Sequence, residues 1–441
     1  MTSVKSGEYN AIVREQMEVI DRMSIYEELE SNVRSYCRSF PVSFTRAKMS
    51  KMYSEDGREY IDFFNGAGAL NYGHNNDYIK KRIIEYIEND GISHALDLHT
   101  KVKEEFLTTF RDLILRPRGL NYKVMFCGPT GTNAVEAALK LSRKVTRRTG
   151  IFALTGSFHG MTLGSLSISS GRTPRAGAGM PLTGVTFIPH PYSHPEIDTI
   201  AYMEELMTDE YSGVDKPAAV FIETVQAEGG VVPLTEKFMR DLRELCDRQG
   251  VLLVVDDIQV GCGRTGKFFS FERAGIVPDM VTLSKSISGY GLPMALLLLK
   301  PELDIWKPAE HNGTFRGNQL AFVGARAALE YREQYRLEEK TQKDEALIRK
   351  FVTERLLPMD KNLRYRGVGM IHGVDFGAVE IKDAAGLVAK ECFQNGLVIE
   401  RAGRGDCVLK IMPALTIEED ELIKGLEIIE LSMKKVLLGN K

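Results

Sequence analysis

The middle of the chain alternates short apolar segments with longer amphipathic segments, and this pattern predicts strands that alternate with helices. Residues 132–144 and 237–249 carry apolar side chains at helical spacing, and Gly250 after the second helix suits a left-handed cap. Continuous apolar strands between helices indicate a mostly parallel sheet covered on both faces, an α/β fold. The predicted buried strands are 124–127, 151–154, 185–188, 218–222, 251–255 and 280–283.

The segments on either side of this alternation have a different pattern. Residues 27–75 contain short strand-like segments and end in a glycine-rich stretch, whereas residues 329–441 mix charged helices with strands such as 371–376. We therefore predict a large domain over residues 76–328 and a smaller α+β domain assembled from the two flanks. Residues 1–26 are predicted as an N-terminal helix or extension.

Composition and charge exclude several classes of protein. The 441 residues include 57 Lys and Arg against 60 Asp and Glu, so no broad basic field indicates a nucleic-acid partner. The longest apolar run, residues 294–299, is far shorter than the ~20 residues that span a bilayer. The six cysteines are scattered without the paired spacing of a metal site or a disulfide scaffold. We expect a cytoplasmic enzyme with no metal, no membrane contact and no nucleic-acid partner.

A cluster of small polar residues lies between a predicted strand and a predicted helix. In the run Gly128-Pro-Thr-Gly-Thr-Asn-Ala134, glycine lets backbone N–H groups approach an anion, and the start of a helix adds positive potential. Thr130 and Thr132 add hydroxyl donors. The same residues are also typical of a plain helix cap, so this cluster alone is a weak indication of an anion site.

Two predicted strands are followed by ionisable residues. Asp256, in Val254-Val-Asp-Asp-Ile-Gln259, comes at the carboxyl end of a strand, where ligands bind in open α/β sheets. A turn or helix-capping acid is the equally weighted alternative. Lys285, between Ser284 and Ser286, follows another strand, which favours a desolvated amine nucleophile over a solvated surface lysine. An anion cradle, an acid and an amine at one sheet edge are what pyridoxal phosphate requires for its phosphate, ring nitrogen and aldehyde.

Several motifs resemble those of the class-III aminotransferases, which are fold-type I pyridoxal-phosphate enzymes. The resemblance is carried by residues 256–266 and 284–286 and extends over nearly the whole chain after about residue 27. Residues 66–75, 128–134 and 310–318 are most similar to the members that form L-2,4-diaminobutyrate for ectoine biosynthesis. The resemblance implies a large, mostly parallel-sheet domain, a smaller α+β domain, and pyridoxal 5'-phosphate as the cofactor.

The resemblance also implies a role for each matched residue. Lys285 would be the catalytic residue and would bind the cofactor covalently. The other cofactor contacts would be Asp256 at the ring nitrogen, Gln259 at the ring hydroxyl, Ile258 and Phe158 on the two ring faces, and Gly131 and Thr132 at the phosphate.

Three further residues concern the substrate and the assembly. Thr314 matches a residue that reaches the phosphate of a neighbouring subunit, which implies a homodimer or larger assembly with shared active sites. Glu228 matches an acid that pairs with a substrate-binding arginine in relatives, and Lys410 stands where several relatives have that arginine. We expect Glu228 and Lys410 to take part in substrate binding.

The reaction that the resemblance implies is transfer of an amino group between L-glutamate and L-aspartate 4-semialdehyde, with 2-oxoglutarate and L-2,4-diaminobutyrate as products. On the same scaffold the alternatives are a transaminase for another ω-amino acid, such as ornithine or 4-aminobutyrate, and an aminomutase. A catalytically silent relative that serves in interactions is the alternative from a different class. The presence of both Lys285 and Asp256 argues against that last alternative.

Overall fold

The computed structural model describes residues 25–439, and the chain divides between residues 44 and 45 into two compact units. In the described part of the first unit, residues 25–29 and Tyr36–Ser39 are helical. The helix predicted for residues 1–26 falls almost entirely outside the described residues. The predicted domain boundaries after residues 26, 75 and 328 stay predictions.

The elements are numbered here in chain order. The strands are β1 (Phe44–Lys48), β2 (Lys51–Ser54), β3 (Glu59–Asp62), β4 (Lys123–Phe126), β5 (Ile151–Leu154), β6 (Val185–Ile188), β7 (Ala219–Ile222), β8 (Val225–Gln226), β9 (Val232–Pro233), β10 (Leu252–Asp256), β11 (Met280–Leu283), β12 (Leu296–Leu299), β13 (Arg364–Val368), β14 (Ile371–Asp375), β15 (Leu397–Val398), β16 (Glu400–Ala402) and β17 (Val408–Ile411). The longer helices are α1 (Asp77–Glu88), α2 (Lys101–Phe110), α3 (Gly131–Thr146), α4 (Thr199–Thr208), α5 (Glu236–Gln249), α6 (Gln319–Gln334), α7 (Leu337–Phe351), α8 (Ala384–Gln394) and α9 (Glu419–Leu437).

A seven-stranded sheet forms the centre of the second unit, with the order β4-β12-β11-β10-β7-β5-β6. The pairs from β11 to β6 are all parallel, and β12 alone runs antiparallel to both of its neighbours, β11 and β4. This topology confirms the predicted α/β class with a mostly parallel sheet. The four leucines of β12 are buried, as an interior strand requires, and they belong to the apolar run that the sequence pattern left unassigned.

Helices cover both faces of this sheet. In β10, Leu253 and Val255 pack in one apolar cluster, and Val254 between them packs in another cluster on the opposite face. The first cluster includes side chains of α2 and α5, and the second includes side chains of α3. Because successive side chains of a strand point to opposite faces, burial on both faces explains why these strands are continuously apolar.

Two smaller four-stranded sheets involve the flanking segments of the chain. One has the order β1-β2-β3-β15, in which β15 pairs in parallel with β3 through Leu397 and Ile61. The other has the order β13-β14-β17-β16, and its antiparallel β16–β17 pair places Glu400 opposite Lys410. Segments from near the two ends of the chain therefore share one sheet. Side chains from both segments also lie in one apolar cluster, for example Phe63 from the early segment and Ile429 from the late one.

Gly289, in the segment after β11, packs closely against helix α6, and a substitution there tests this contact. Its φ is +73°, and a Cβ atom at Gly289 would lie 2.4 Å from the Cβ of Ala328 and 2.5 Å from the carbonyl oxygen of Gly324. We expect Gly289→Ala to lower the free energy of unfolding by ~2–4 kcal/mol, because left-handed geometry and overpacking each contribute. The urea midpoint of unfolding measures this loss.

Gly275→Ala is the matched control for Gly289→Ala. Gly275 has a similar φ of +67°, but nothing lies within 4 Å of a Cβ atom built there. We expect this variant to lose only the conformational part, ~1–2 kcal/mol. Equal losses in the two variants would contradict close packing of Gly289 on α6.

Candidate active site

A cavity of about 470 Å³ opens at the carboxyl edge of the parallel strands. Strand β10 ends there in Asp256, and Lys285 follows β11 at the same edge. Ligands bind at this edge in open α/β sheets because the loops after parallel strands converge there. The cavity is lined by the predicted residues Gly131, Thr132, Phe158, Glu228, Asp256, Ile258, Gln259 and Lys285.

The start of helix α3 forms one wall of the cavity. Thr130 donates from its backbone N–H, at 3.2 Å, to the side-chain oxygen of Asn133, so part of the motif is a helix cap. Gly131 and Thr132 line the cavity, and the first-turn N–H groups of a helix lack acceptors within the helix. A Cβ atom on Gly131 would lie 2.8 Å from Cδ1 of Ile258, so glycine is required for this close approach. The cradle is suited to an anion.

Asp256 is a buried carboxylate that two groups hold in place. Its Oδ2 atom lies 2.7 Å from Nδ1 of His159, and its Oδ1 accepts a hydrogen bond from the backbone N–H of Ile258 at 3.2 Å. His159 follows Phe158 in the chain and is not among the predicted site residues. The structure shows that it contacts the acid directly, so it fixes the orientation of the Asp256 carboxylate.

The Lys285 amine is held by a carbonyl of the glycine-rich stretch that follows β3. Its Nζ donates to the carbonyl oxygen of Ala67 at 2.7 Å, and the hydroxyl of Ser286 donates to the carbonyl oxygen of Gly68 at 2.7 Å. Lys285 has a φ of +52°, in the left-handed region that is strained for a residue of this size. Burial lowers the pKa of the Lys285 amine, so the amine gives up its proton more readily than a surface lysine does.

Phe158 and Glu223 form another part of the wall. The Phe158 side chain remains partly exposed where it lines the cavity, and its backbone N–H donates to Oε2 of Glu223 at 3.0 Å. Burial, together with the nearby charge of Asp256, raises the pKa of Glu223 well above its usual range. Glu223 therefore fixes the backbone that carries the aromatic ring.

A cluster of charged and polar side chains lies on the side of the cavity formed by Glu228 and Gln259. Lys410 is fully buried, and its Nζ lies 2.8 Å from Oε1 of Glu228 and 2.8 Å from Oε1 of Glu400. Gln259 donates to the Glu228 carboxylate at 3.2 Å. Lys410 does not line the cavity. The sequence interpretation missed Glu400, because only the pairing of β16 with β17 brings it to Lys410.

Thr314 lies outside the cavity of its own chain. Its carbonyl oxygen lies 3.0 Å from Nε2 of His94, and the aromatic ring of the adjacent Phe315 is largely exposed. The role predicted for Thr314 at a neighbouring subunit stays a prediction.

Residues 25–439 contain no group of three or more His, Cys, Asp and Glu side chains arranged to hold a metal ion. No helix within these residues combines the length and the hydropathy that a membrane crossing requires.

The residues around the cavity fit pyridoxal phosphate. A partly buried lysine amine, a fixed carboxylate and a helix start opened by glycine surround one space, and these are the groups that its aldehyde, ring nitrogen and phosphate need. The absence of a side chain at Gly131 lets the start of the helix lie against Ile258, which lines the same cavity.

Comparison with known proteins identifies related sequences over most of the chain. The model of the family described as aminotransferase class-III matches residues 34–433. The diaminobutyrate–2-oxoglutarate transaminase of Streptomyces coelicolor is 53% identical over 411 residues, covering 92% of this chain and 96% of the relative. The protein of the same name from Halalkalibacterium halodurans is 51% identical over 418 residues, covering 94% of this chain and 97% of the relative.

Solved structures share the fold. The ornithine aminotransferase from Toxoplasma gondii superposes with a TM-score of 0.83 at 24% identity, and the match covers 99% of both chains. An aminotransferase from Bacillus anthracis superposes with a TM-score of 0.83 at 20% identity, covering 98% of this chain and all of that chain (100%). Because both identities are below 25%, the structural similarity establishes a shared fold and carries no conclusion about the substrate.

The contact of Gly131 with Ile258 generates a test of the cradle. We expect Gly131→Ala to weaken the affinity of the apoprotein for pyridoxal phosphate roughly tenfold, because the added methyl group displaces Ile258 at a cost of ~1–3 kcal/mol. Titration of the apoprotein with the cofactor, followed by absorbance, measures the dissociation constant.

The double variant Gly131→Ala/Ile258→Val is the control for this titration. It removes the Cδ1 atom that the new methyl group would meet at 2.8 Å, so we expect it to regain part of the lost affinity. Wild-type affinity in the Gly131→Ala single variant would contradict the tight contact.

Proposed function

The chain belongs to the class-III aminotransferases, and on that premise we propose that it transfers an amino group between L-glutamate and L-aspartate 4-semialdehyde. The products are 2-oxoglutarate and L-2,4-diaminobutyrate. The observation that carries this proposal is identity above 50%, over nearly the whole chain, to relatives named as diaminobutyrate–2-oxoglutarate transaminases. The expected fold-type I architecture is confirmed, and no observation favours the ornithine, 4-aminobutyrate or aminomutase alternatives.

Pyridoxal 5'-phosphate is the cofactor of this family. When bound, it supplies an electrophilic carbon for the amino group and an electron-withdrawing ring that stabilises negative charge on the adjacent carbon. The residues proposed to hold it are Lys285 covalently, Asp256 at the ring nitrogen, Gln259 at the ring hydroxyl, Ile258 and Phe158 on the ring faces, and Gly131 and Thr132 at the phosphate.

Lys285 is proposed to move the proton in both directions during the reaction. Its amine takes the proton from the amino-bearing carbon of the donor, acting as a general base, and later delivers a proton as a general acid. Burial lowers the pKa of this amine, which increases the fraction of the neutral, basic form near neutral pH. His159 holds the Asp256 carboxylate in one orientation, so the ring nitrogen retains a fixed acidic partner.

Glu228 and Lys410 are proposed to take part in substrate selection. Among the described residues that line the cavity, Lys285 is the only lysine or arginine. The carboxylates of glutamate therefore need cations that lie behind the wall, as Lys410 does, or that come from a neighbouring copy of the chain.

The assembly, the cellular location and the pathway are further parts of the proposal. We propose a homodimer with shared active sites, because Thr314 lies outside its own cavity in a segment where the side chain of Phe315 is exposed. A cytoplasmic location is supported by the six cysteines, which are free. A role in ectoine biosynthesis rests on the motif resemblance alone.

The pathway is tested by deleting the gene and measuring the ectoine content of cells exposed to high salt. Loss of ectoine in the deletion strain would support the role, and an unchanged ectoine content would contradict it.

The reaction is tested by supplying the holoenzyme with L-2,4-diaminobutyrate and 2-oxoglutarate and measuring the glutamate formed. We expect glutamate and the semialdehyde in equal amounts, and much slower turnover with ornithine or 4-aminobutyrate. An aminomutase would consume the diamino acid without 2-oxoglutarate, and a silent relative would do neither.

Lys285→Ala is the variant that ties this activity to the site. We expect turnover to fall by roughly 10²–10⁴-fold or more, because the general base and the covalent attachment are lost together. Mass spectrometry after borohydride reduction shows whether the cofactor is attached. Lys267→Ala, at a partly exposed lysine that pairs with Glu338, is the matched control and should keep both properties.

The shared-site proposal predicts that the active species is at least a dimer. Thr314→Ala should weaken cofactor affinity by ~1 kcal/mol, about fivefold, because one hydrogen bond to the phosphate is lost. Sedimentation of the holoenzyme measures the assembly. A monomer that is fully loaded with cofactor and active would refute shared sites.

A further inference from the structure

Lys410 lies between two carboxylates, and the second of them has no role in the function proposed above. Glu400 and Lys410 face each other across the antiparallel pair β16–β17, and the Lys410 ammonium lies 2.8 Å from the Glu400 carboxylate. The same ammonium lies 2.8 Å from Glu228. The Lys410 side chain is fully buried and that of Glu400 is 5% exposed, so little solvent screens the contact between them, whereas the Glu228 side chain is 30% exposed where it faces the cavity. We call Glu228, Lys410 and Glu400 the acid–lysine triad.

The triad meets the cavity through one of its ends. Glu228 lines the cavity together with Gln259, whereas Lys410 and Glu400 lie behind them. Gln259 donates to Glu228 at 3.2 Å and also to the carbonyl oxygen of Ala67 at 2.9 Å. That carbonyl is the acceptor of the Lys285 amine. A continuous set of polar contacts therefore connects Glu400 to the lysine that performs the chemistry.

We propose that Glu400 is a specificity-determining positioning residue, which shares the Lys410 ammonium with Glu228 and thereby sets the charge that the acid–lysine triad presents to the two amino donors. With Glu400 ionised, the triad has two negative charges and one positive charge. With Glu400 protonated, the triad is neutral. This inference rests on the function proposed above and deepens it.

The two amino donors differ in charge away from the amine that reacts. Glutamate has two carboxylates, whereas 2,4-diaminobutyrate has one carboxylate and a second ammonium group. A net negative triad behind the wall attracts the second ammonium and repels the additional carboxylate. Ionised Glu400 therefore favours the diamino acid, and protonated Glu400 favours glutamate.

The pKa values of the triad support Glu400 as the group that changes its charge. Burial raises the pKa of Glu400 to about 7, and the charge of Glu228 adds to this effect while Lys410 and Lys285 oppose it. Burial also raises the pKa of Glu228, but Lys410 and Lys285 outweigh burial and hold that pKa below its usual value. The two carboxylates outweigh the burial of Lys410 and raise its pKa. Arg401, which follows Glu400 in β16, forms an ion pair with Asp383 instead.

The pH dependence follows from the direction of the Glu400 shift. Below about pH 7 Glu400 is protonated, and above it the triad gains a negative charge. The preference for glutamate over diaminobutyrate should therefore fall as the pH rises through this value. Ionisation of the substrates also changes this preference with pH. A variant with a neutral side chain at residue 400 shows only the substrate effect, so comparison with it isolates the effect of Glu400.

The experiment measures the half-reaction of the holoenzyme with each donor in single turnover, from about pH 6 to about pH 9. The quantity of interest is the ratio of kcat/KM for glutamate to kcat/KM for diaminobutyrate. We expect Glu400→Gln to raise this ratio roughly tenfold above neutral pH and to leave it nearly unchanged at the acidic end. As the pH rises, the ratio in the wild-type enzyme divided by the ratio in Glu400→Gln should therefore decrease in a single step near neutral pH.

Glu430→Gln is the matched control, because Glu430 is also a buried acid that forms ion pairs, with Arg355 and Lys434, and it does not line the cavity. We expect it to leave the ratio unchanged, whereas Glu400→Asp should keep the wild-type dependence on pH. Equal changes of both kcat/KM values in Glu400→Gln, or a pH dependence that survives this substitution, would overturn the proposal. A wild-type enzyme that reacts with glutamate but not with diaminobutyrate would overturn the proposed function and this inference together.

Discussion

The parallel pairing of β10 with β11 is the constraint on which the site depends. In this register Asp256 is level with Thr282, so β10 ends in its acid where β11 is about to end. Lys285 follows three residues later, and both side chains reach the same cavity. A one-residue slip would turn every side chain of a strand to the other face and move Asp256 away from the cavity, so the register of this ladder fixes the relation between the acid and the amine.

This constraint also explains what the sequence could predict. The interior strands are recognisable because burial on both faces makes them continuously apolar, and Asp256 and Lys285 are recognisable because they follow such strands. Strand β12 escaped prediction because its four residues are all leucine, a good helix former, and it lacks the β-branched residues that distinguish the other apolar runs from a buried helix. The contacts of His159 with Asp256 and of Glu400 with Lys410 depend on tertiary pairing that no local pattern records.

The acid–lysine triad is a poor source of stability. Burying an ion pair costs free energy that its mutual attraction only partly returns, and two carboxylates for one ammonium increase the cost. A lysine is moreover a point charge on a flexible stem, unlike the planar fork of arginine, so it needs partners on more than one side to be fixed. Glu228 and Glu400 provide those partners, and the side-chain oxygen of Gln259 accepts from the Lys410 ammonium at 3.4 Å.

The pairing of β3 with β15 has a consequence for how the protein is made. The N–H of Phe63, just after β3, donates to the carbonyl oxygen of Val398 at 2.8 Å, although most of the chain separates the two residues. The glycine-rich stretch that receives the Lys285 amine begins three residues after Phe63, at Gly66. On the ribosome, the early strands must therefore wait for strands that emerge near the end of translation. The part of the cavity wall that receives the Lys285 amine is fixed only after almost all of the chain has been synthesised.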